Sequence, residues 1–296
     1  MKKKLVNFKA VFEGDFHYDN LHKSIYATDA SVYRKLPLAV AFPKTEKAIQ
    51  QLIEFAQKSN TSLVPRTAGT SLAGQCVGDG IVVDVSKYFT NILSVDTQTK
   101  TVTVQPGVIR DELDAYLKQY GLFFGPNTST SNRCMIGGMV GNNSSGTTSI
   151  QYGVTRDKVL QLKTILSNGE TSVFNSISKE IFFQKIKEET FEGNIYKTIY
   201  SELASEETRE EIKRQFPKPE IHRRNTGYAV DTLINTEVFD ETSSEEINLC
   251  KLLCGSEGTL AFTTEITLQL DDLPPQYTAM VVSQYKSLEN CLNDVS

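Results

Sequence analysis

The chain has few cysteines, no excess of positive charge and no long apolar run. Five cysteines in 296 residues are too few and too widely spread for a disulfide framework, and their odd number argues further against one. A formal net charge of -5 leaves no basic surface of the kind that binds nucleic acid. No window has the length of a membrane span, and polar residues follow the basic start before a signal peptide could form. We therefore expect a cytoplasmic protein, or one bound peripherally at the inner membrane, with no transmembrane segment and no nucleic acid partner.

Common nucleotide-binding and metal-binding motifs are missing as well. No stretch combines G-x-G-x-x-G after a strand with an acidic residue about 20 positions later. Neither Gly69 nor Gly74 is followed by the lysine of a G-x-x-x-x-G-K-[ST] phosphate loop. Cys250 and Cys254 are one residue further apart than a C-x-x-C pair and lack a second pair. We expect these two to be core cysteines, and we expect no metal site.

The chain does contain three stretches rich in glycine and small polar residues, at 65–74, 136–146 and 254–259. We call them the first, second and third glycine-rich stretch and predict each to be a loop. Glycine lacks the Cβ that keeps other residues out of left-handed conformations, so such loops can turn several backbone N–H groups toward one point. Any one of them alone is typical of a structural turn. Together they predict a cradle for an anion, such as a phosphorylated cofactor.

Apolar patterns along the chain predict an α+β fold with two subdomains. Strands are predicted at 36–43, 62–65, 81–85, 92–96, 101–105, 159–166, 171–174, 260–270 and 278–282. The strand at 62–65 is predicted to be buried, and the one at 260–270 to be half-buried, with apolar and polar residues on alternate faces. Asn168-Gly169 predicts a hairpin turn between 159–166 and 171–174. Helices are predicted from Thr45, over 109–121, in the charged region 179–216 and from Ser287. We expect an N-terminal extension at 1–35, then subdomains at 36–105 and 106–270, and at 271–296 a linker with the start of a further domain, cut short at Ser296.

Several motifs in chain order resemble one protein family. They are Pro65-Arg66 with Gly69-Thr70, Pro106-Gly107-Val108, Gly125-Pro126, Ile136-Gly137-Gly138 through Asn142-Asn143-Ser144-Ser145-Gly146, Tyr152-Gly153, and Gly255-Ser256-Glu257-Gly258-Thr259. From about residue 36 to 270 the chain resembles the FAD-linked oxidoreductases of the vanillyl-alcohol oxidase and p-cresol methylhydroxylase type. Within that family it is similar to the branch of D-lactate, glycolate and D-2-hydroxyglutarate dehydrogenases, particularly the long forms with a C-terminal iron–sulfur region.

The resemblance implies a two-subdomain FAD-binding domain of p-cresol methylhydroxylase type, with the start of a truncated C-terminal cap domain after it. The first stretch would wrap the FAD diphosphate, the second would line another side of the cofactor, and the third would close on it. Some family members bond FAD covalently through a histidine in the first loop, where Thr70 and Ser71 stand here, so we predict noncovalent FAD. The implied FAD-binding residues are Arg66, Thr67, Ala68, Gly69, Thr70, Ser71, Leu72, Pro106, Gly107, Val108, Pro126, Thr130, Ile136, Gly137, Gly138, Asn142, Asn143, Ser145, Gly146, Tyr152, Gly153, Val159, Glu257, Gly258 and Thr259.

The reaction that the resemblance implies is oxidation of a D-2-hydroxy acid, by hydride transfer from its C2 carbon to flavin N5 while a base takes the hydroxyl proton. The family's histidines near the substrate belong to the cap domain, whereas this chain has only His17, His22 and His222. We therefore expect the catalytic residues outside this chain, and the fragment alone to be inactive. An iron–sulfur cluster is implied only for a full-length protein, and the electron acceptor stays open.

Substrate binding has weaker candidates. Arg223 and Arg224 could hold a carboxylate by paired hydrogen bonds, although an exposed basic turn is the simpler interpretation, and Arg34 is a further candidate. Two other functions also stay open at this point. One is a noncatalytic module that binds a nucleotide through the same loops, and the other is a flavin reductase with a nicotinamide partner.

Overall fold

The computed structural model describes residues 1–218, 220–221, 223–225, 227–277 and 279–294. Its helices are α1 (Lys2–Val11), α2 (Asn20–Ile25), α3 (Glu46–Ser59), α4 (Arg110–Leu117), α5 (Ile136–Asn142), α6 (Ser149–Tyr152), α7 (Thr155–Lys158), α8 (Lys179–Lys185), α9 (Phe191–Leu203), α10 (Glu206–Gln215), α11 (Cys250–Leu253) and α12 (Leu288–Asp294). Its strands are β1 (Gly14–His17), β2 (Ala39–Pro43), β3 (Leu63–Arg66), β4 (Ile81–Asp84), β5 (Ile92–Asp96), β6 (Thr101–Val104), β7 (Leu122–Phe123), β8 (Val159–Ile165), β9 (Thr171–Phe174), β10 (Ser176–Ile177), β11 (Ile247–Asn248), β12 (Phe262–Gln269) and β13 (Asp271–Asp272). No helix in the described part of the chain is long and apolar enough to cross a membrane.

Strands β1 to β4 form one sheet, in the order β1-β2-β4-β3. β4 is parallel to both of its neighbours and buried along its whole length, which is typical of a central parallel strand. Pro65 lies in the edge strand β3, where the missing N–H costs no ladder bond. Helix α3 covers this sheet, and its Ile49 and Leu52 share a buried apolar cluster with Ile81 and Val83. Burial of this helix face therefore closes the first core.

The second sheet is antiparallel throughout, in the order β5-β6-β12-β8-β9. Its central strand β12 alternates as predicted, with Ile266 and Leu268 fully buried on one face. These two side chains belong to a second apolar cluster, which also takes in Leu113 of α4, Met139 of α5 and Phe182 of α8. The strands β7 and β13, and likewise β10 and β11, form small two-stranded pairs at the periphery.

The two sheets meet where β8 passes α3. Lys163 Nζ lies 2.8 Å from a carboxylate oxygen of Glu46 in α3 and 2.8 Å from one of Glu265 in β12. Gln50 Nε2 donates to the carbonyl oxygen of Gly169 at 2.9 Å. Polar bonds therefore tie α3, which covers the first sheet, to β8 and to the β8–β9 turn of the second sheet.

Most predicted elements are confirmed, including α3, for which Thr45 Oγ1 accepts the Ala48 N–H at 3.1 Å. Four of the predictions about strands and subdomains differ. The β5-β6 hairpin, predicted with the first subdomain, pairs into the second sheet, because β6 hydrogen-bonds to β12. The extension supplies β1 to the first sheet. Edge strand β3 is half-buried rather than buried. Residues 279–282 form no strand, while Thr278 lies outside the described residues.

Candidate functional site

The three glycine-rich stretches converge on one cleft with a volume of about 1020 Å³. The first stretch contributes residues 65–73 to its lining, together with the following Gln75 and Cys76. The rest of the described lining is Ile25, 28–30, Val85, Pro106, 128–130, 133–135, 137–142, Ser144, Ser145, Arg223, Asn225, Leu253, 256–258 and 261–263. A cleft of this size lies at the upper end of ordinary ligand pockets and has room for a large ligand.

The first stretch begins at the carboxyl end of the parallel strand β3, the edge at which open parallel sheets usually bind ligands. Arg66 Nη1 donates to the carbonyl oxygen of Thr28 at 2.8 Å, and the guanidinium carbon lies 5.0 Å from the ring centre of Tyr26. Ala30 N–H donates to the carbonyl oxygen of Gly69, which has φ +67°. The segment after α2 therefore braces the first stretch from outside the predicted subdomain.

The second stretch begins as helix α5, not as the predicted loop. Its glycines allow close contacts that any side chain would block. A Cβ on Gly137 would lie 2.4 Å from the Pro106 Cβ, and a Cβ on Gly138 would lie 2.6 Å from Thr67 Oγ1. Gly137 N–H also donates to the carbonyl oxygen of Pro106 at 2.8 Å. Here the glycines serve close packing of a helix against two neighbouring segments.

The third stretch is joined to the end of α5 by backbone hydrogen bonds. Gly255 N–H and Glu257 N–H each donate at 2.9 Å to a carbonyl oxygen near the carboxyl end of α5. Glu257 has φ +56°, so the stretch turns sharply at this residue. Gly258 follows with φ +74°, and a Cβ there would lie 2.8 Å from the side chain of Pro65. The third stretch thus contacts both of the others.

A buried arginine supports the second and third stretches from below. Arg156, in α7, donates from Nε to the carbonyl oxygen of Lys251 at 3.0 Å and from Nη2 to that of Cys254 at 2.7 Å. Its backbone N–H donates to Asn143 Oδ1 at 2.8 Å, and Asn143 is itself buried with φ +49°. Burial lowers the pKa of the Arg156 guanidinium, and the two carbonyl oxygens accept from its Nε and Nη2.

The cleft differs in charge from the chain as a whole. Its described lining holds three arginines, Arg66, Arg133 and Arg223, against two carboxylates, Asp29 and Glu257, while the chain carries a net charge of -5. Local charge and backbone dipoles therefore favour an anion in this cleft, despite the overall field of the chain.

Many of the predicted FAD-binding residues share this cleft. Those in the lining are Arg66, Thr67, Ala68, Gly69, Thr70, Ser71, Leu72, Pro106, Thr130, Gly137, Gly138, Asn142, Ser145, Glu257 and Gly258. The others do not belong to the lining: Gly107, Val108, Pro126, Ile136, Asn143, Gly146, Tyr152, Gly153, Val159 and Thr259. Several of these lie just behind it, as where Ile136 N–H donates to the carbonyl oxygen of Val108. Their contact with a cofactor stays a prediction.

The three arginines predicted for the substrate separate in the structure. Arg223 lines the cleft, where its Nε donates to Ser145 Oγ at 2.9 Å. Arg224 instead pairs with Asp231, and both side chains are largely buried outside the lining. Arg34 is exposed and also outside the lining. Only Arg223 among the three is therefore placed to meet a ligand in the cleft.

The histidines take no part in the described lining. His222 lies outside the described residues, and His17 and His22 lie beside Asp19 at the start of α2. One potential metal-ligand atom from each of these three side chains lies within 4.8 Å of the other two, a grouping that sequence reasoning did not predict. However, the two imidazole rings stack 3.6 Å apart at 12°, so one ion could not lie in both ring planes. Burial, with the neighbouring His22, lowers the pKa of His17.

Sequence reasoning missed the residues that hold the cleft together. Gln75 follows the first stretch and hydrogen-bonds to both of the others, at Asn142 and Glu257. Cys76, also in the lining, lies 3.6 Å from an Asp29 carboxylate oxygen, and burial raises the pKa of its thiol to about 11. Cys250 and Cys254 are buried core residues, as expected.

Comparison with known proteins agrees with this geometry. Residues 37–175 match the family model of the FAD binding domain. The D-2-hydroxyglutarate dehydrogenase of Haemophilus influenzae is 37% identical over 289 residues, which are 96% of this chain and 27% of that protein. The mitochondrial D-lactate dehydrogenase [cytochrome] 1 of Saccharomyces cerevisiae is 26% identical over 83% of this chain and 32% of its own length. A solved alkyldihydroxyacetonephosphate synthase shares the fold, with a TM-score of 0.61 at 18% identity over 93% of this chain and 41% of that one.

Proposed function

The chain belongs to the FAD-linked oxidoreductases with an FAD-binding domain of the p-cresol methylhydroxylase type, and on that premise we propose that it is the FAD-binding part of a 2-hydroxy-acid dehydrogenase. It spans only about a quarter of the length of the D-2-hydroxyglutarate dehydrogenase that it resembles, so the activity is proposed and not established. The observation that carries the proposal is the convergence of all three glycine-rich stretches on a single cleft.

The cleft residues fit a dinucleotide with a charged centre. Gly138 lies against Thr67 and Gly258 against Pro65 with no room for a Cβ, so the three stretches lie close together around the cleft. Donors for the diphosphate are at hand in the side chains of Thr67, Thr70 and Arg66 and in the backbone of the first stretch. Burying phosphate charge without such donors would cost several kcal/mol or more.

When bound, FAD would accept a hydride from the C2 carbon of the hydroxy acid. The role that we assign to the chain itself is to orient that acid and to neutralise its carboxylate. Arg223 is the residue proposed for this, since it lines the cleft and has the planar donor set that suits a carboxylate. We do not assign the role to Arg224, because its charge is already paired with Asp231.

The relatives do not favour the other two functions. Both relatives named above are dehydrogenases, one of D-2-hydroxyglutarate and one of D-lactate, which supports an enzyme rather than a noncatalytic module. They also support a hydroxy acid, rather than a nicotinamide, as the source of electrons.

Several finer expectations join the proposal. FAD would be bound noncovalently, an iron–sulfur region would lie outside this chain, and the protein would be cytoplasmic or peripheral at the inner membrane. The proposed division at 1–35, 36–105, 106–270 and 271–296 is supported in outline by two separate cores. Pairing of the β5-β6 hairpin with β12 favours placing that hairpin with the second subdomain.

Titration of the purified chain with FAD tests the cofactor. We expect a yellow complex that survives desalting, loses its flavin on denaturation and shows one FAD per chain. A chain that stays colourless, with no change in thermal unfolding when FAD is added, would refute the proposal.

Substrate class is tested in the FAD-loaded full-length protein held without oxygen, because we expect the catalytic residues outside this chain. D-lactate, glycolate or D-2-hydroxyglutarate should bleach the flavin absorption, whereas NADPH should not. Arg223→Ala should raise the acid concentration needed for half-bleaching at least about tenfold, the cost of losing a charge-assisted bond. Arg214→Ala, an exposed arginine of α10, is the matched control. Bleaching by NADPH alone would favour the reductase.

A further inference from the structure

The side chain of Gln75 joins all three glycine-rich stretches at once. Its amide Nε2 donates to Asn142 Oδ1 of the second stretch at 3.0 Å and to Glu257 Oε1 of the third at 2.6 Å. Its Oε1 accepts from Ser71 Oγ of the first stretch at 2.7 Å. We propose that Gln75 is the positioning residue that sets these stretches for FAD and holds the Glu257 carboxylate away from the bound diphosphate. This inference rests on the proposed function.

Amide chemistry explains why glutamine suits this position. The Glu257 carboxylate has no proton to give, and Asn142 presents its amide oxygen, so both need a donor from Gln75. Ser71 presents a hydroxyl proton and needs an acceptor. A primary amide offers two donors and an acceptor without charge. A lysine here would lack the acceptor, and a glutamate would lack both donors.

The negative charge of Glu257 is the reason that its hydrogen bond to Gln75 matters for FAD binding. This carboxylate lines the cleft in which we place a diphosphate, and two anions in one cleft repel each other. The backbone of Glu257 is fixed by its bond to the end of α5 and by its φ of +56°, so the remaining freedom lies in its side chain. By engaging the carboxylate, Gln75 determines where that negative charge lies.

A positioning role differs measurably from a merely structural one. Glu257 and Asn142 are exposed and Gln75 is partly exposed, so their hydrogen bonds compete with water and add little to the stability of the FAD-free chain. If the role is positioning, substitution should weaken FAD binding far more than it weakens the fold. If it is structural, both should fall together.

The test is the dissociation constant of FAD for the whole chain, measured by flavin fluorescence after removal of any bound cofactor. Gln75→Glu should weaken FAD binding at least tenfold, because it removes both donors and adds a second carboxylate beside Glu257. The double variant Gln75→Glu with Glu257→Gln should recover most of the loss, since it exchanges donor and acceptor and restores the net charge. Gln119→Glu, an exposed glutamine of the short turn after α4, controls for the added charge alone.

Thermal unfolding without FAD is the second readout, and we expect all four chains to match within a few degrees. The inference is overturned if Gln75→Glu binds FAD as the wild type does, if the double variant stays as weak as the single one, or if the FAD-free chain loses stability in parallel. A wild-type chain that binds no FAD would instead remove the proposed function and this inference with it.

Discussion

The first glycine-rich stretch and the other two line the same cleft but are held in different ways. The second and third stretches share backbone hydrogen bonds and rest on Arg156, which is 6% exposed. Every residue from 63 to 75 is instead partly or fully exposed. Side-chain bonds, from Arg66 to Thr28 and between Ser71 and Gln75, do much of the holding there.

This difference indicates which part of the cleft is preformed. Backbone hydrogen bonds that rest on a buried side chain such as Arg156 open only when the surrounding core opens. Exposed side-chain hydrogen bonds open locally, at a small cost in free energy. The second and third stretches should therefore keep their shape without a ligand. The first stretch should become more ordered when FAD contacts it. The entropy cost of that ordering then reduces the net free energy of FAD binding.

Arg156→Ala should have the largest effect of the changes considered, because it removes the buried side chain that supports the second and third glycine-rich stretches. The carbonyl groups of Lys251 and Cys254 would lose their donors, and Cys254 is fully buried. Each unsatisfied buried group costs about 1–3 kcal/mol, so the free energy of unfolding should fall by about 3 kcal/mol or more. Urea unfolding followed by circular dichroism measures this loss.

The matched control is Arg214→Ala on α10. Arg214 pairs with Glu211 on the surface, where such pairs often contribute nothing measurable to stability. Equal loss in both variants would mean that the second and third stretches have no special support, and the comparison with the first stretch would fail.

Gly138→Val should separate cofactor binding from folding. The new side chain would enter the narrow space beside Thr67 Oγ1, which is a side-chain atom able to move, so the fold should survive. The space taken belongs to the cleft, and FAD binding should weaken at least about tenfold, or about 1.4 kcal/mol. FAD titration with a parallel unfolding curve checks both statements.

Ala115→Val provides the control, because Ala115 is an exposed residue of α4 outside the cleft lining. It adds two methyl groups to a helix without narrowing the cleft. If Gly138→Val binds FAD as tightly as this control does, the close approach of α5 to the first stretch has no part in binding.

Sequence patterns predicted much of this fold because the signals were local. The cap at Thr45, the alternation along β12 and the hairpin turn at Gly169, with φ +89°, each depend on a few neighbouring residues. Convergence of the glycine-rich stretches was predicted from their shared suitability for an anion and from resemblance to a family, since no local rule brings residues 70 and 258 together.

What the sequence did not predict depends on contacts between distant segments. Arg156 stands in a short charged run and looks exposed, yet carbonyl groups almost a hundred residues away bury it. The second stretch looks like a loop because glycine disfavours helices, but packing against Pro106 outweighs that propensity. Gln75 carries no signal at all, because its three partners meet only in the folded chain.

Thiol labelling offers the finest test of the comparison, since each part of the cleft carries a buried cysteine. Burial raises the pKa of Cys76, beside the first stretch, to about 11 and that of Cys254, which begins the third, to about 12, from an ordinary 9.0. Both thiols should therefore react slowly near neutral pH, and only after opening. We expect Cys76 to be labelled several times faster than Cys254, with FAD slowing Cys76 more. Mass spectrometry of the labelled peptides gives both rates.

Alkaline pH sharpens the same test, because both folded pKa values lie above the ordinary one. The protonated thiols then contribute stability that is complete below about pH 9 and is lost as pH rises through 11 and 12. Labelling of Cys76 should therefore accelerate steadily above pH 9, while Cys254 should follow global unfolding at each pH. Cys291, which is partly exposed in α12, serves as the internal reference for reagent activity. Equal rates at Cys76 and Cys254, unaffected by FAD, would mean that the cleft opens as one unit and that its two parts do not differ in stability.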